Sequence, residues 1–403
     1  MALARVDVAS NERCRHIPCA GARCEVARSL LTTVLMQLAA ITLTQPDPLV
    51  AAALNHSDDA DPGIRRLRHG KHFRYVRADG RPARDPATLS RIRALAIPPA
   101  WTDVWIAADP DGHIQATGRD SRERKQYRYH TEWRRVRDEA KYHRLVAFCH
   151  ALPRLRAAVD RDLSCACLCK PKVVATIVDL LERAQLRIGN DEYTRHNGSY
   201  GATTLRDRHA KINGNTLELS YRGKSGVDRR VRVTDRRLAN IVRSCRDLPG
   251  QRLFQYVDGD VIRPITSTDV NTYVHEMTGG PFTAKDYRTW AATLGAAMLF
   301  CVIERPRTAR DHKESIRRVI EAVAERLGHK PSVCRGSYIH PRVIEDFASD
   351  RLARRIGGPI RRRLGRAAIP ISSDGIRVEM LRAIEPIVAR YLDVGTRRAR
   401  AIA

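Results

Sequence analysis

Thr216-Leu-Glu-Leu-Ser-Tyr-Arg-Gly-Lys-Ser-Gly-Val-Asp-Arg-Arg-Val-Arg-Val-Thr234 contains two runs of alternating polarity around a short turn. Residues 216–222 and 228–234 have the period of two that suits half-buried strands, and Gly223-Lys-Ser-Gly226 supplies the reversal, so the stretch reads as a β-hairpin. It is surrounded by helical patterns. Upstream, Trp133 to Leu152 and Lys172 to Leu186 carry apolar residues at three- and four-residue spacing. Downstream the same spacing predicts helices over 235–244, 267–277, 286–302 and 315–327. Residues 131–347 are therefore expected to form a mainly helical domain with a β-hairpin.

The segment before it has a different rhythm. His72 to Val76, Val104 to Ala107 and His113 to Thr117 are short β-type runs, punctuated by Asp79-Gly80, Asp109-Pro110 and Asp111-Gly112. A short helix fits Ala87 to Leu95 and is stopped by Pro98 and Pro99. Residues 63–130 thus read as a small β-rich domain, and the fold class as α+β. Residues 1–62 read as an N-terminal extension and a polar, Asp-rich linker, with 1–50 either poorly ordered or one marginal helix. Met36 offers an alternative start. Beyond Phe347 the chain turns Arg-dense, so 348–403 is expected to be a basic C-terminal extension, either helical and bound to DNA backbone or a solvated tail.

Composition narrows the partner. The 403 residues carry 72 Lys plus Arg against 45 Asp plus Glu, a formal charge of +27 spread along the chain. That excess points to a polyanion, with binding that falls steeply as salt rises. The apolar stretch Ser29 to Leu43 is too short and too polar to span a bilayer. Ten cysteines are present, among them Cys14, Cys19 and Cys24 and the run Cys165, Cys167 and Cys169, but no Cys-x-x-Cys pair. The spacing fits zinc poorly, so the thiols are expected to be reduced and without function.

Five scattered residues, Arg187, Lys224, Arg288, His329 and Tyr338, supply what breaking a phosphodiester with a tyrosine requires. The transition state is more anionic than the substrate, so it needs a nucleophile, charge-stabilising donors and an acid for the leaving oxygen. A phenol attacks only where cations or a base stabilise its phenolate. Arg288 would sit at the start of a helix and could fork onto two phosphate oxygens. Arg187 follows a helix and could supply a second fork. Lys224 occupies the hairpin tip, and His329 could donate to a phosphate oxygen or simply end a helix after Gly328. Taken singly each has a structural alternative, an ion pair with Asp286 or Asp191 in the case of the arginines. If Lys125 to Tyr129 is a strand, Lys125, Tyr127 and Tyr129 share one face, as DNA contacts or as a core aromatic pair.

The chain resembles the type IB DNA topoisomerases of the small bacterial and poxvirus-like kind over about residues 63–347. The motifs that carry the resemblance are Arg187-Ile-Gly-Asn-Asp-Glu-Tyr193, residues 198–209, Gly223-Lys-Ser-Gly226, Lys285-Asp-Tyr-Arg-Thr-Trp290 and Ser337-Tyr-Ile-His-Pro341. In the first domain Ile97-Pro-Pro-Ala-Trp101 and residues 118–127 match as well. The resemblance implies that Tyr338 is the nucleophile, Arg187 and Arg288 stabilise the transition state, Lys224 is the general acid and His329 contacts the phosphate. It also implies DNA contacts from Lys125, Tyr127, Tyr129, Arg206 and Arg208. Residues 1–50, the Cys165 to Cys169 run and the segment after Phe347 have no counterpart in the family.

The implied activity is ATP-independent relaxation of supercoiled DNA through a 3′-phosphotyrosyl intermediate, strand swivelling and religation. It needs no cofactor and no metal. The expected partner is double-stranded DNA, bound by a cytoplasmic, nucleoid-associated monomer with no obligatory protein partner and no membrane contact. Two domains clamping the duplex would complete the site. The alternatives are a tyrosine recombinase, which shares the Arg, Lys, Arg, His, Tyr order but has a helical first domain, and a non-enzymatic basic DNA-binding protein.

Overall fold

A computed structural model describes residues 48–304, 306–365 and 369–400. The expectations for residues 1–47, including Cys14, Cys19 and Cys24, lie outside these residues. The chain divides into two compact units, one ending at His143 and one beginning at Arg144.

The first unit is built on a five-stranded antiparallel sheet in the order β2-β1-β3-β4-β5. Its strands are β1 (Gly63–His69), β2 (His72–Val76), β3 (Thr102–Ala107), β4 (Ile114–Arg119) and β5 (Lys125–Tyr129). Helix α1 (Pro86–Ala94) begins where the Asp85 carboxylate accepts from Thr88 N, with Pro86 at the position where a missing N–H costs nothing. Ile92 of this helix joins Ile64, Val104, Ile106 and Ala116 in the core. Alternation along β3 sends Val104 and Ile106 to that side and Trp105 to the other, where its indole N–H donates to Asp61 O at 3.0 Å.

Helix α2 (Thr131–Leu163) is 33 residues long and contains Pro153, where the spacing predicts an end at Leu152. Leu145, Phe148, Leu152, Leu155, Val159 and Leu163 are all buried. That continuous stripe outweighs the roughly 3 kcal/mol a proline costs inside a helix. The first turns of α2 belong to the first unit, which ends at His143. Trp133 meets His113 edge-on at 4.9 Å, and the Arg137 guanidinium lies 5.9 Å from the Tyr129 ring.

The second unit continues with α3 (Lys170–Ala184) and α4 (Asp191–Asn197), then a three-stranded sheet β6-β7-β8. Strands β7 (Thr216–Arg222) and β8 (Asp228–Thr234) have the boundaries the sequence predicts, and β6 (Ala210–Asn213) adds a third strand to the hairpin. After α5 (Arg236–Arg246) come a small hairpin of β9 (Gln255–Asp258) and β10 (Val261–Pro264), then α6 (Ser267–Thr278). The central helix α7 (Ala284–Val302) is buried almost throughout. Helices α8 (Ala309–Leu327), α9 (Pro331–Ser337) and α10 (Pro341–Ala348) follow.

The segment after Phe347 is helical, one of the two expected readings, and not a solvated tail. It forms α11 (Gly358–Leu364) and α12 (Val378–Arg400), which pack on α7. Leu381, Ile384, Val388 and Leu392 are buried at helical spacing. Glu385 accepts from Arg156 at 2.8 Å and from the Trp290 indole at 3.3 Å, so a buried ion pair ties α12 to α2 and α7. The arginine density had hidden this apolar stripe.

Candidate active site

The site forms where three helices end or begin. α3 is apolar along one side from Val173 to Ala184 and stops at Gln185, which adopts left-handed backbone (φ 53°). Leu186 is buried next, and its anchoring delivers Arg187. α8 stops at Gly328, also left-handed (φ 65°), and its N–H bonds back to the last turn. That glycine termination turns the chain so that His329 follows directly. α7 is started by a reciprocal cap between Thr283 and Asp286, and Arg288 stands in its second turn at 4% exposure.

The two guanidiniums meet at His329. Arg187 Nη2 lies 2.9 Å from His329 Nδ1, and Arg288 Nη2 lies 2.8 Å from Nε2. A guanidinium only donates, while a neutral imidazole has one acceptor nitrogen, so one of the two contacts sets N–H against N–H. Burial, then Arg288 and Arg187, push the His329 pKa down to about 3, so the ring is neutral at pH 7. His329 therefore suits hydrogen-bond donation to an anion better than proton transfer.

Among the described residues no carboxylate bonds either arginine. Asp286 instead pairs with Arg144 and Asp191 with Arg252, which removes the ion-pair alternatives. The cations rest on helix ends. Arg288 donates to Gln185 O at the end of α3 and to Leu327 O at the end of α8, at 2.7 Å in the latter case. Arg187 donates to Gly328 O at 3.2 Å. These carbonyls carry the negative end of the helix dipole, which partly offsets the buried charge. The offset is incomplete, since burial and then Arg187 lower the Arg288 pKa to about 10, and its Nε is buried without a partner.

Tyr338 ends helix α9. Cys334 and Ile339 are fully buried on either side, and Thr293 of α7 donates to Tyr338 O at 3.3 Å and accepts from His340 N. The half-buried ring lies 4.3 Å from the His329 ring and 5.8 Å from the Arg288 guanidinium. Lys224 sits in the single turn at the hairpin tip, exposed, its ammonium 4.9 Å over the Tyr193 ring. It is felt at His329 as the weakest of the four cations that depress its pKa. Arg187, Arg288, His329 and Tyr338 are thus brought together, with Lys224 at the margin.

Of the expected DNA contacts, Tyr127 and Tyr129 stack at 5.8 Å on one face of β5, with Lys125 5.7 Å from the Tyr127 ring. Tyr127 is exposed, so this is no core pair; Lys125 is held by Asp59 at 2.7 Å. Arg206 bonds Gln251 and Arg208 bonds the Tyr200 hydroxyl, and among the described residues neither pairs with an acid. Cys165, Cys167 and Cys169 lie in the connection from α2 to α3, and among the described residues no three His, Cys, Asp or Glu side chains are grouped to hold a metal.

Arg229 also reaches the site, although no motif in the sequence singles it out. It donates to Glu325 O at 3.0 Å and Arg326 O at 2.9 Å. The signal was present: in β8, Arg229 shares parity with the buried Val231 and Val233, whereas Arg230 and Arg232 face outward beside Glu218.

A family model described as eukaryotic DNA topoisomerase I, catalytic core, matches residues 130–354. A second, described as bacterial DNA topoisomerase IB, N-terminal domain, matches residues 72–120. The chain is 33% identical over 296 residues to a DNA topoisomerase 1B from Acanthamoeba polyphaga mimivirus, covering 72% of this chain and 88% of that protein.

Proposed function

Because the chain belongs to the type IB DNA topoisomerases, we propose that it relaxes supercoiled duplex DNA as a monomer, without ATP, through a covalent bond between Tyr338 and a 3′ phosphate. The phosphodiester occupies the space bounded by Arg187, Arg288 and His329. Its non-bridging oxygens take the guanidinium N–H groups and the one imidazole N–H, which relieves the clash of donors at His329. The Tyr338 phenol loses its proton to solvent as its oxygen attacks phosphorus, so a P–O bond to the phenol forms while the P–O bond to the 5′ oxygen breaks. Lys224 gives that oxygen its proton, so a neutral 5′ hydroxyl leaves. Its exposure and its position on a turn let it follow the strand into place. The freed end swivels, and the hydroxyl then attacks the phosphotyrosyl ester with Lys224 as base, restoring the strand. The ester conserves the bond energy of the phosphodiester, so no nucleotide is consumed.

One observation carries this reading: two acid-free guanidiniums bracket one neutral histidine, with a tyrosine ring 4.3 Å away. The five-stranded sheet of the first unit weighs against the recombinase alternative, which expects helices there. The test is relaxation of supercoiled plasmid in EDTA without ATP, by wild type and by Tyr338→Phe. The expected result is full relaxation by the first and none by the second. A plasmid left supercoiled by both, or relaxed by both, overturns the proposal.

A further inference from the structure

Three arginines cap the end of helix α8. Arg229 takes the Glu325 and Arg326 carbonyls, Arg288 takes Leu327 and Arg187 takes Gly328. Two of them also touch the His329 imidazole. Arg229 has no such contact, and it alone of the three comes from the hairpin that carries Lys224.

Its place in that hairpin is specific. Arg229 stands opposite Tyr221 in the β7–β8 ladder, one pair below Arg222–Asp228, where the tip begins. Its side chain runs between two glycines. A Cβ on Gly223, the residue before Lys224, would lie 3.1 Å from Arg229 Cγ, and a Cβ on Gly328, the residue before His329, would lie 2.9 Å from its Cδ. A side chain at Gly328 would crowd this arm and strain a left-handed backbone as well. One extended side chain therefore packs against the neighbour of the general acid at its root and the neighbour of the histidine at its head.

We propose that Arg229 is a positioning residue for strand cleavage, bolting the Lys224 hairpin to the end of α8 so that the general acid is presented at the leaving oxygen. The inference rests on the reading of Lys224 and Tyr338 given above. Two charge-assisted bonds to the carbonyl end of a helix hold an otherwise exposed tip. Without them the hairpin keeps its ladder, since the strand pairing does not involve the guanidinium, but its tip loses its fixed distance from His329. Lys224 then spends less time where it can donate.

The experiment is single-turnover cleavage of a short duplex under saturating protein, by wild type, Arg229→Ala, Arg229→Lys, Lys224→Ala and Tyr338→Phe. Each is run on a normal substrate and on one with sulfur replacing the bridging 5′ oxygen. A thiol ionises at about 8.5 against about 15.7 for water, so the sulfur leaves without an acid. The expected result is that Arg229→Ala cleaves the normal substrate at least tenfold slower than wild type, binds it within about twofold, and returns to within threefold of wild type on the sulfur substrate, as Lys224→Ala does. Arg229→Lys, which can reach one carbonyl but not fork onto two, falls between and guards against a fold lost in the alanine variant. Normal cleavage by both Arg229 variants, or an equal loss on both substrates, overturns the proposal. If wild type forms no Tyr338-dependent adduct on either substrate, the functional reading itself fails and this one with it.

Discussion

Replacing Arg288 by alanine separates a site residue from a structural one, because the two roles predict opposite balances of stability and rate. Arg288 is 4% exposed, and its pKa is held at about 10 by burial and by Arg187. An arginine ordinarily ionises above 12, and each tenfold change in acidity corresponds to about 1.4 kcal/mol, so keeping this cation charged costs on the order of 3 kcal/mol. Removing the charge recovers that amount, but emptying the space of a buried side chain costs roughly 2–3 kcal/mol. Against the gain, Gln185 O and Leu327 O lose a donor, at roughly 1–3 kcal/mol each when buried. The losses outweigh the gain by only a few kcal/mol, and Arg288→Ala is expected to melt roughly 5–10 °C below wild type in the absence of DNA.

Catalysis has no such compensation. The cation that burial opposes in the free protein is the one that faces developing negative charge in the transition state, so its loss is expected to slow cleavage by 100-fold or more, about 2.7 kcal/mol. Thermal unfolding without DNA and single-turnover cleavage of a duplex measure the two quantities on the same preparations. A melting temperature lowered by more than about 10 °C, with cleavage reduced no further than the folded fraction explains, would refute the reasoning. So would cleavage within tenfold of wild type.

Two other outcomes follow from the same structure. His329 titrates near 3 in the fold against 6.5 free; between these values the unfolded chain binds a proton that the folded one refuses, so this residue removes stability as pH falls through 6.5 toward 3. His329→Asn, which keeps a donor and cannot titrate, is expected to lose less stability between pH 7 and 4.5 than wild type and to cleave within about tenfold of it, while an equal pH dependence of melting would contradict a neutral ring. Glu385→Gln leaves Arg156 and Arg382 sharing the single carboxylate of Glu182; loss of the buried charge is expected to cost about 3 kcal/mol and lower the melting temperature by several degrees. An unchanged melt would show that α12 does not brace α7.

What the sequence disclosed divides by the range of the interaction. The β7–β8 hairpin was legible to the residue because alternation and a Gly-rich turn are local. The continuation of α2 through Pro153 was not, since the helix is held by a buried stripe that runs on through Leu155, Val159 and Leu163 and by distant partners such as Tyr287 against Phe148 and Glu385 against Arg156. The same holds for α12, where Arg-rich composition masked apolar residues that find their surface on α7. The identities of Arg187, Arg288, His329 and Tyr338 were available through resemblance. Their mutual contacts were not: Arg187 and His329 stand 142 residues apart.

The way those contacts are held has a chemical consequence. A buried arginine is usually kept in place by a carboxylate, and a site built that way would already be neutral. Here Arg187, Arg229 and Arg288 are held by four successive carbonyls at the end of one helix, with Gln185 O from another. A helix end offers about half a charge, enough to position guanidiniums and too little to neutralise three. The surplus remains directed at His329 and Tyr338, where an aspartate in the same place would have competed with phosphate for every donor. Helix termination at Gly328 is therefore part of the chemistry. It supplies acceptors that orient the cations without cancelling them, so the free energy of ion pairing is left for the substrate to complete.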